Sequence, residues 1–200
     1  MSKKIGVVVL AAGSSSRMGY PKQLLKWGAK TLINHILQEV SKVRYAKYIV
    51  VLGSQSEVVR TAVDKRFNVL VNENWIQGMG SSIALATAHL KNEVDAIQFL
   101  MVDQPQIDSL FLKFFLHTYE FKNKKLVATK YPKSIGIPAL FDSSYYEELQ
   151  SLTKKGAKTI LQKFANEVKL ITPPKPLEDM DTPEEYNNLH KKVFGVAPDS

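Results

Sequence analysis

Residues 10–22 read LAAGSSSRMGYPK and follow directly on the apolar run IGVVVL at 5–10. With so little side-chain bulk, the N–H groups of Gly13, Ser14, Ser15 and Ser16 can approach a ligand and form an anion-binding concavity. Arg17 and Lys22 place fixed positive charge at its rim, so the chemistry on offer is the wrapping of phosphates. The same composition also makes an ordinary strand-to-helix turn. Five residues separate Gly13 from Gly19, and Tyr20 follows. Neither the P-loop spacing nor the dinucleotide G-x-G-x-x-G is therefore met, and a phosphate loop of a third kind is expected.

Asp103 closes a second apolar run within MVDQP at 101–105. A carboxylate at a strand tip suits a hard divalent cation at the mouth of a sheet, and it equally suits a turn cap. Asp179 and Asp181, in LEDMDTPEEY, stand before a helical stretch, where one of them reads as an N-cap. If the two ends of the chain meet in one cleft, Asp103 and Asp181 would bind Mg2+ bridging a nucleotide's phosphates. Magnesium takes one or two carboxylates plus substrate oxygens, so this supply suffices. The stretch NENWIQGMGSS at 72–82 carries Asn72 and a second glycine turn through Gly78, with Ser81 and Ser82 at a helix start. That is an anion-friendly site or a plain capped helix. His35, His89, His117 and His190 show no metal-ligand spacing and read as surface or helix-face residues.

Short β-branched runs at 5–10, 48–52, 69–71, 96–102 and 126–129 have the character of buried strands. Between them, Leu32, Ile33, Ile36, Leu37 and Val40 share one helical face. So do Val58, Val59, Ala62 and Val63, and later Leu110, Phe111, Phe114 and Phe115. Asp108 is expected to cap the last of these helices, and Ser54 or Ser56 the second. Alternating strand and helix predicts a mostly parallel sheet covered on both faces, with its ligand at the carboxyl ends of the strands. The Gly13 loop, Gly53, Asn72 and Asp103 each follow such a run. Later, residues 136–141 read as extended, 157–164 as a short helix, 168–171 as a strand, and Pro183 opens a final helix.

The chain has 200 residues, 44% of them apolar and 23% charged, which fits one soluble domain. Residues 1–195 are expected to form it and 196–200 a disordered tail. No apolar run reaches the ~20 residues of a membrane helix, and MSKKIGVVVL reads as a first strand, not a leader. Zero cysteines exclude disulfides and thiolate chemistry and suit a cytoplasmic protein. The net charge of +8 favours polyanionic partners, but its lysines are scattered without interleaved aromatics, so a nucleic-acid partner is not expected.

Together, LAAGSSSRMGYPKQLL, NENWIQGMGSS, MVDQP, GIPALF, KKGAKTIL and DMDTPEEY resemble, in order and spacing, the nucleotidyltransferases that make molybdenum cofactor dinucleotides. The likeness is strongest to the molybdenum cofactor cytidylyltransferase branch. It implies a three-layer α/β fold with a mostly parallel Rossmann-like sheet, of the nucleotide-diphospho-sugar transferase type. It further implies that Leu10, Ala11, Ala12 and Gly13 hold base and ribose, and that Ser14, Ser15, Ser16 and Arg17 hold the triphosphate. Lys22 would neutralise charge in transfer, Asp103 and Asp181 would hold Mg2+, and Gly53, Asn72, Gly78, Ser81 and Ser82 would line the nucleotide or acceptor side. Alanine at Ala12, where related guanylyltransferases have glycine, implies CTP. The implied acceptor is molybdopterin or molybdenum cofactor, with contact to a molybdoenzyme or cofactor-handling protein. The alternatives are a cytidylyltransferase for a sugar or polyol phosphate and a nucleotide-binding regulatory module without turnover. Two departures stand out: Ile137 replaces the histidine of a G-H-P motif, and Lys154 the aspartate of G-D-K-G-A.

Overall fold

The computed structural model describes residues 3–122 and 124–198. Strand β1 (Ile5–Ala11) runs into the glycine-serine loop, after which come the two-residue strands β2 (Lys26–Trp27) and β3 (Lys30–Thr31) and helix α1 (Leu32–Ser41). Then follow β4 (Lys47–Leu52), α2 (Ser56–Arg60), β5 (Asn68–Val71), α3 (Met79–Leu90), β6 (Ala96–Met101) and α4 (Ser109–Lys122). The remainder is β7 (Leu126–Lys130), β8 (Ile135–Asp142), α5 (Tyr146–Gln150), α6 (Lys158–Lys163), β9 (Val168–Ile171) and α7 (Pro183–Phe194).

Seven strands form one sheet in the order β5-β4-β1-β6-β8-β7-β9. All run parallel except β8, which is antiparallel to β6 and β7. Strand β1 sits centrally because its side chains are apolar on both faces. Val7, Val9 and Ala11 enter one core layer while Val8 and Leu10 enter the other. Each fully buried aliphatic of this kind contributes about 1.5–3 kcal/mol relative to exposure. The architecture is therefore a mostly parallel α/β sheet with helices on both faces. No helix among the described residues is long and apolar enough to cross a membrane.

A third, smaller core joins distant parts of the chain. Met18 from the loop, Trp27, Leu32, and Met180, Tyr186 and Leu189 from the C-terminal segment pack together. It is this cluster that brings residue 181 beside the first loop.

Several helical expectations change. Helix α2 ends at Arg60 and buries only Val59, while Val58 is 53% exposed. Its N-cap is Gln55, in the left-handed region at φ 52°, and no serine side chain caps it. Helix α4 is capped by the Asp108 carboxylate, which accepts from the Phe111 amide at 2.8 Å. It buries Phe111, Leu112, Phe115 and Tyr119, not Leu110 and Phe114. The inward stripe thus lies beside the one the apolar spacing suggested, because two apolar stripes run along this helix and only one meets the sheet. Neither Asp179 nor Asp181 caps α7: Thr182 does, in a capping box with Glu185, with Pro183 as the first helical residue. Of the expected tail, residues 199 and 200 lie outside the described residues, and the Val196 carbonyl accepts from the His190 ring at 2.8 Å.

Candidate active site

The carboxyl ends of β1 and β6 open on a cleft of about 570 Å³. Leu10, Ala11, Ala12, Gly13 and Ser14 form one wall, Gly78, Met79 and Ser82 another, and Lys22, Asp103, Asp179 and Asp181 its charged end. A parallel sheet produces this crevice because the loops leaving adjacent strands diverge there.

The loop is shaped by its own hydrogen bonds. Ser15 sits at φ 54°, and its carbonyl accepts from the amides of Met18 and Gly19 at 2.9 and 3.1 Å. Its hydroxyl accepts from the Lys22 amide at 3.1 Å, which sets where the lysine leaves the backbone. Gln23, 1% exposed, donates to the Ala11 carbonyl at 2.7 Å and ties the loop's exit to its entrance.

From that position the Lys22 ammonium reaches Asp103 at 2.5 Å and Asp181 at 2.8 Å. Arg17 meets the other oxygen of Asp181 at 2.6 Å. Burial alone would lower the Lys22 pKa, but the charges and hydrogen bonds of the two carboxylates outweigh it and hold the ammonium above its ordinary value. Burial lifts the Asp103 carboxyl against the pull of Lys22. Burial acts the same way on Asp181, yet the hydrogen bond and charge of Lys22, followed by Arg17, bring it below the usual carboxylate range. Asp103, Lys22, Asp181 and Arg17 thus alternate in sign from the cleft's charged end outward, with Arg17 exposed beyond the cleft lining. The second oxygen of Asp103 is buried without a hydrogen-bond partner, an acceptor left for a ligand. No group of three or more His, Cys, Asp or Glu placed to hold a metal exists among the described residues. A cation here would complete its shell with substrate oxygens.

The remaining expected residues divide into lining and support. Gly53 stands behind the wall, where a Cβ would lie 2.6 Å from the Trp75 side chain and 2.7 Å from the Ala12 carbonyl. Asn72 is buried and donates to the hydroxyls of Ser81 and Ser82 at 2.8 and 2.9 Å. Ser81 itself turns back to the Gly78 carbonyl at 2.8 Å. Ser82 lines the cleft and Ser81 does not. Gly78 (φ 115°) and Gly80 allow the carbonyls of the 153–155 loop to lie against the start of α3. A Cβ would come within 2.5 Å of one at Gly78 and 2.4 Å at Gly80. Ile137 points into the core, so the position of the missing histidine is apolar packing here.

Gln23, Trp75, Ile76 and Met79 also line the cleft and were not singled out by type. The glycine turn that contains Trp75 was the one available signal. Gln104 bridges the Tyr131 hydroxyl and Asp179 at 2.9 and 2.8 Å, a link only the folded chain reveals.

A family model described as MobA-like NTP transferase domain matches residues 7–168. Among solved structures, Rv0371c of Mycobacterium tuberculosis H37Rv aligns with a TM-score of 0.85 at 26% identity, covering 96% of this chain and 99% of that one. That protein is also solved in complex with manganese. Nicotine blue oxidoreductase of Paenarthrobacter nicotinovorans is 34% identical over 102 residues, 49% of this chain and 48% of the relative. Bifunctional protein GlmU of Buchnera aphidicola is 31% identical over 109 residues, 54% of this chain and 23% of the relative. The chain thus spans half or less of the length of these two relatives.

Proposed function

This chain belongs to the MobA-like NTP transferase family, and from that premise we propose that it transfers CMP from CTP to molybdopterin or molybdenum cofactor with release of pyrophosphate. A phosphate oxygen of the acceptor attacks the α-phosphorus of CTP. The new P–O bond forms as the bond from that phosphorus to the bridging oxygen breaks, and pyrophosphate leaves with the electron pair. The observation that carries this reading is the Lys22 ammonium held between Asp103 and Asp181 at the end of a cleft walled by a bare phosphate loop.

The chain's own residues mainly align and neutralise two anions that otherwise repel each other. Gly13 and Ser14 line the cleft where the triphosphate would lie, and Lys22, with Arg17 beyond it, would supply positive charge. Asp103 and Asp181 would hold Mg2+, and the unpartnered oxygen of Asp103 fits that role. When bound, the ion supplies charge neutralisation at the phosphate oxygens. Alanine at Ala12 supports cytosine over guanine. We place this work in the cytoplasm, in keeping with a chain free of cysteine, beside the molybdoenzymes or cofactor-handling proteins that would receive the product.

The test is a thermal-shift series with CTP, GTP, ATP and UTP plus Mg2+, followed by pyrophosphate release with molybdopterin and with sugar or polyol phosphates. Preferential stabilisation by CTP and turnover with molybdopterin are expected. Product with a sugar phosphate and none with molybdopterin would overturn the acceptor. Tight CTP binding without pyrophosphate release from any acceptor would make the chain a nucleotide-binding regulatory module.

A further inference from the structure

Helix α4 carries a second apolar stripe that has no part in the cleft or the core. On it, Leu110, Phe114 and Phe121 are 67%, 59% and 74% exposed. The exposed His117 ring stacks on Phe121 with centroids 4.9 Å apart. With His117, these residues recur at intervals of four, three and four, the a/d spacing of a helix-to-helix seam and not the scatter of single surface side chains. Within the 14 residues of the helix the stripe runs for about 17 Å.

The flank of the stripe says what it faces. Lys113 and Glu120 lie beside it, seven residues apart and therefore at the same heptad position. Both are exposed, and neither makes an ion pair among the described residues. In a parallel helix pair unlike flanking positions meet, so a lysine and a glutamate at one position do not face each other. In an antiparallel pair that position meets its own kind. One antiparallel register sets Leu110 against the second copy's Phe121 and Phe114 against the second copy's His117. The same register puts Lys113 beside the second copy's Glu120, and the two-fold axis repeats the contact. The apolar layers and the charges thus agree on a single arrangement, the self-complementarity an isologous contact requires.

We propose that the chain self-associates through α4, two copies lying antiparallel about a two-fold axis. One pair of helices with a three-turn seam is below the size of a permanent interface, so the dimer is weak, with a dissociation constant on the order of 100 µM.

Sedimentation equilibrium of the full chain from about 10 to 500 µM reads this directly. Phe114→Glu should leave only monomer. Lys113→Glu or Glu120→Lys alone should weaken association roughly threefold or more, because each places like charges together twice. The double exchange, Lys113→Glu with Glu120→Lys, should bring it back to near the wild-type value. All three positions are exposed, so unchanged melting temperatures verify that the variants are folded. A chain that stays monomeric throughout, whatever else binds the stripe, overturns the proposal. So does a dimer indifferent to Phe114→Glu, or a double exchange as weak as either single change.

Discussion

At the scale of single residues, the site is a charge alternation whose inner pair, Lys22 and Asp103, cannot lose a member without leaving a buried charge uncompensated. Lys22 and Asp103 are 11% and 4% exposed at the side chain, so each compensates a charge that water does not reach. Asp103→Asn preserves the shape and removes the charge. We expect pyrophosphate release to fall about a hundred- to a thousandfold, roughly 3–4 kcal/mol, with unchanged circular dichroism. Wild-type turnover in that variant would remove Asp103 from the reaction. Asp181 predicts a pH effect. Its carboxyl is held below the ordinary value, so its contribution to stability is present above about pH 4 and is lost as pH falls through the lowered folded value. Melting temperatures measured between pH 5 and pH 3 should therefore fall less steeply in Asp181→Asn than in the wild type. Sequence types alone identified Arg17, Lys22, Asp103 and Asp181 as candidates. That Lys22 bridges both carboxylates was not legible, because the three are 81 and 159 residues apart in the chain.

At the scale of elements, local rules placed the strands and the Asp108 cap of α4, missed the caps of α2 and α7, and chose wrongly between competing faces. Periodicity located α1, whose five apolar residues are all buried. It misjudged α4, where two stripes satisfy the same spacing and only contact with the sheet decides which turns inward. The glycines of the second turn show a different limit. Gly78 and Gly80 read as loop residues, yet their function is to accept the 153–155 carbonyls at a distance no Cβ permits. Gly80→Ala should force that loop away and cost about 1–3 kcal/mol. For a chain of this size that is roughly 2–12 °C in melting temperature by differential scanning calorimetry. An unchanged melting temperature would mean that the contact yields freely.

At the scale of the whole molecule, the fold brings basic loop and acidic strand tip to one crevice within a chain of net charge +8. Binding there couples to global stability by mass action. On the proposed function, CTP with Mg2+ at a hundred times its dissociation constant should add about 2.7 kcal/mol. That raises the melting temperature by roughly 5–10 °C, and GTP at equal concentration should do less. Equal shifts with all four nucleotides would leave the base unread by the cleft. From its residues alone this chain declared its α/β class, its first buried strand and the bare loop that follows it, since alternation, apolar runs and backbone freedom are local properties. Only the tertiary structure decided which carboxylates meet that loop and which stripe of α4 stays in water. Those choices depend on the packing of Met18, Trp27 and Met180 and on the sheet's geometry, and contacts between segments far apart in the chain leave no mark in the spacing of either.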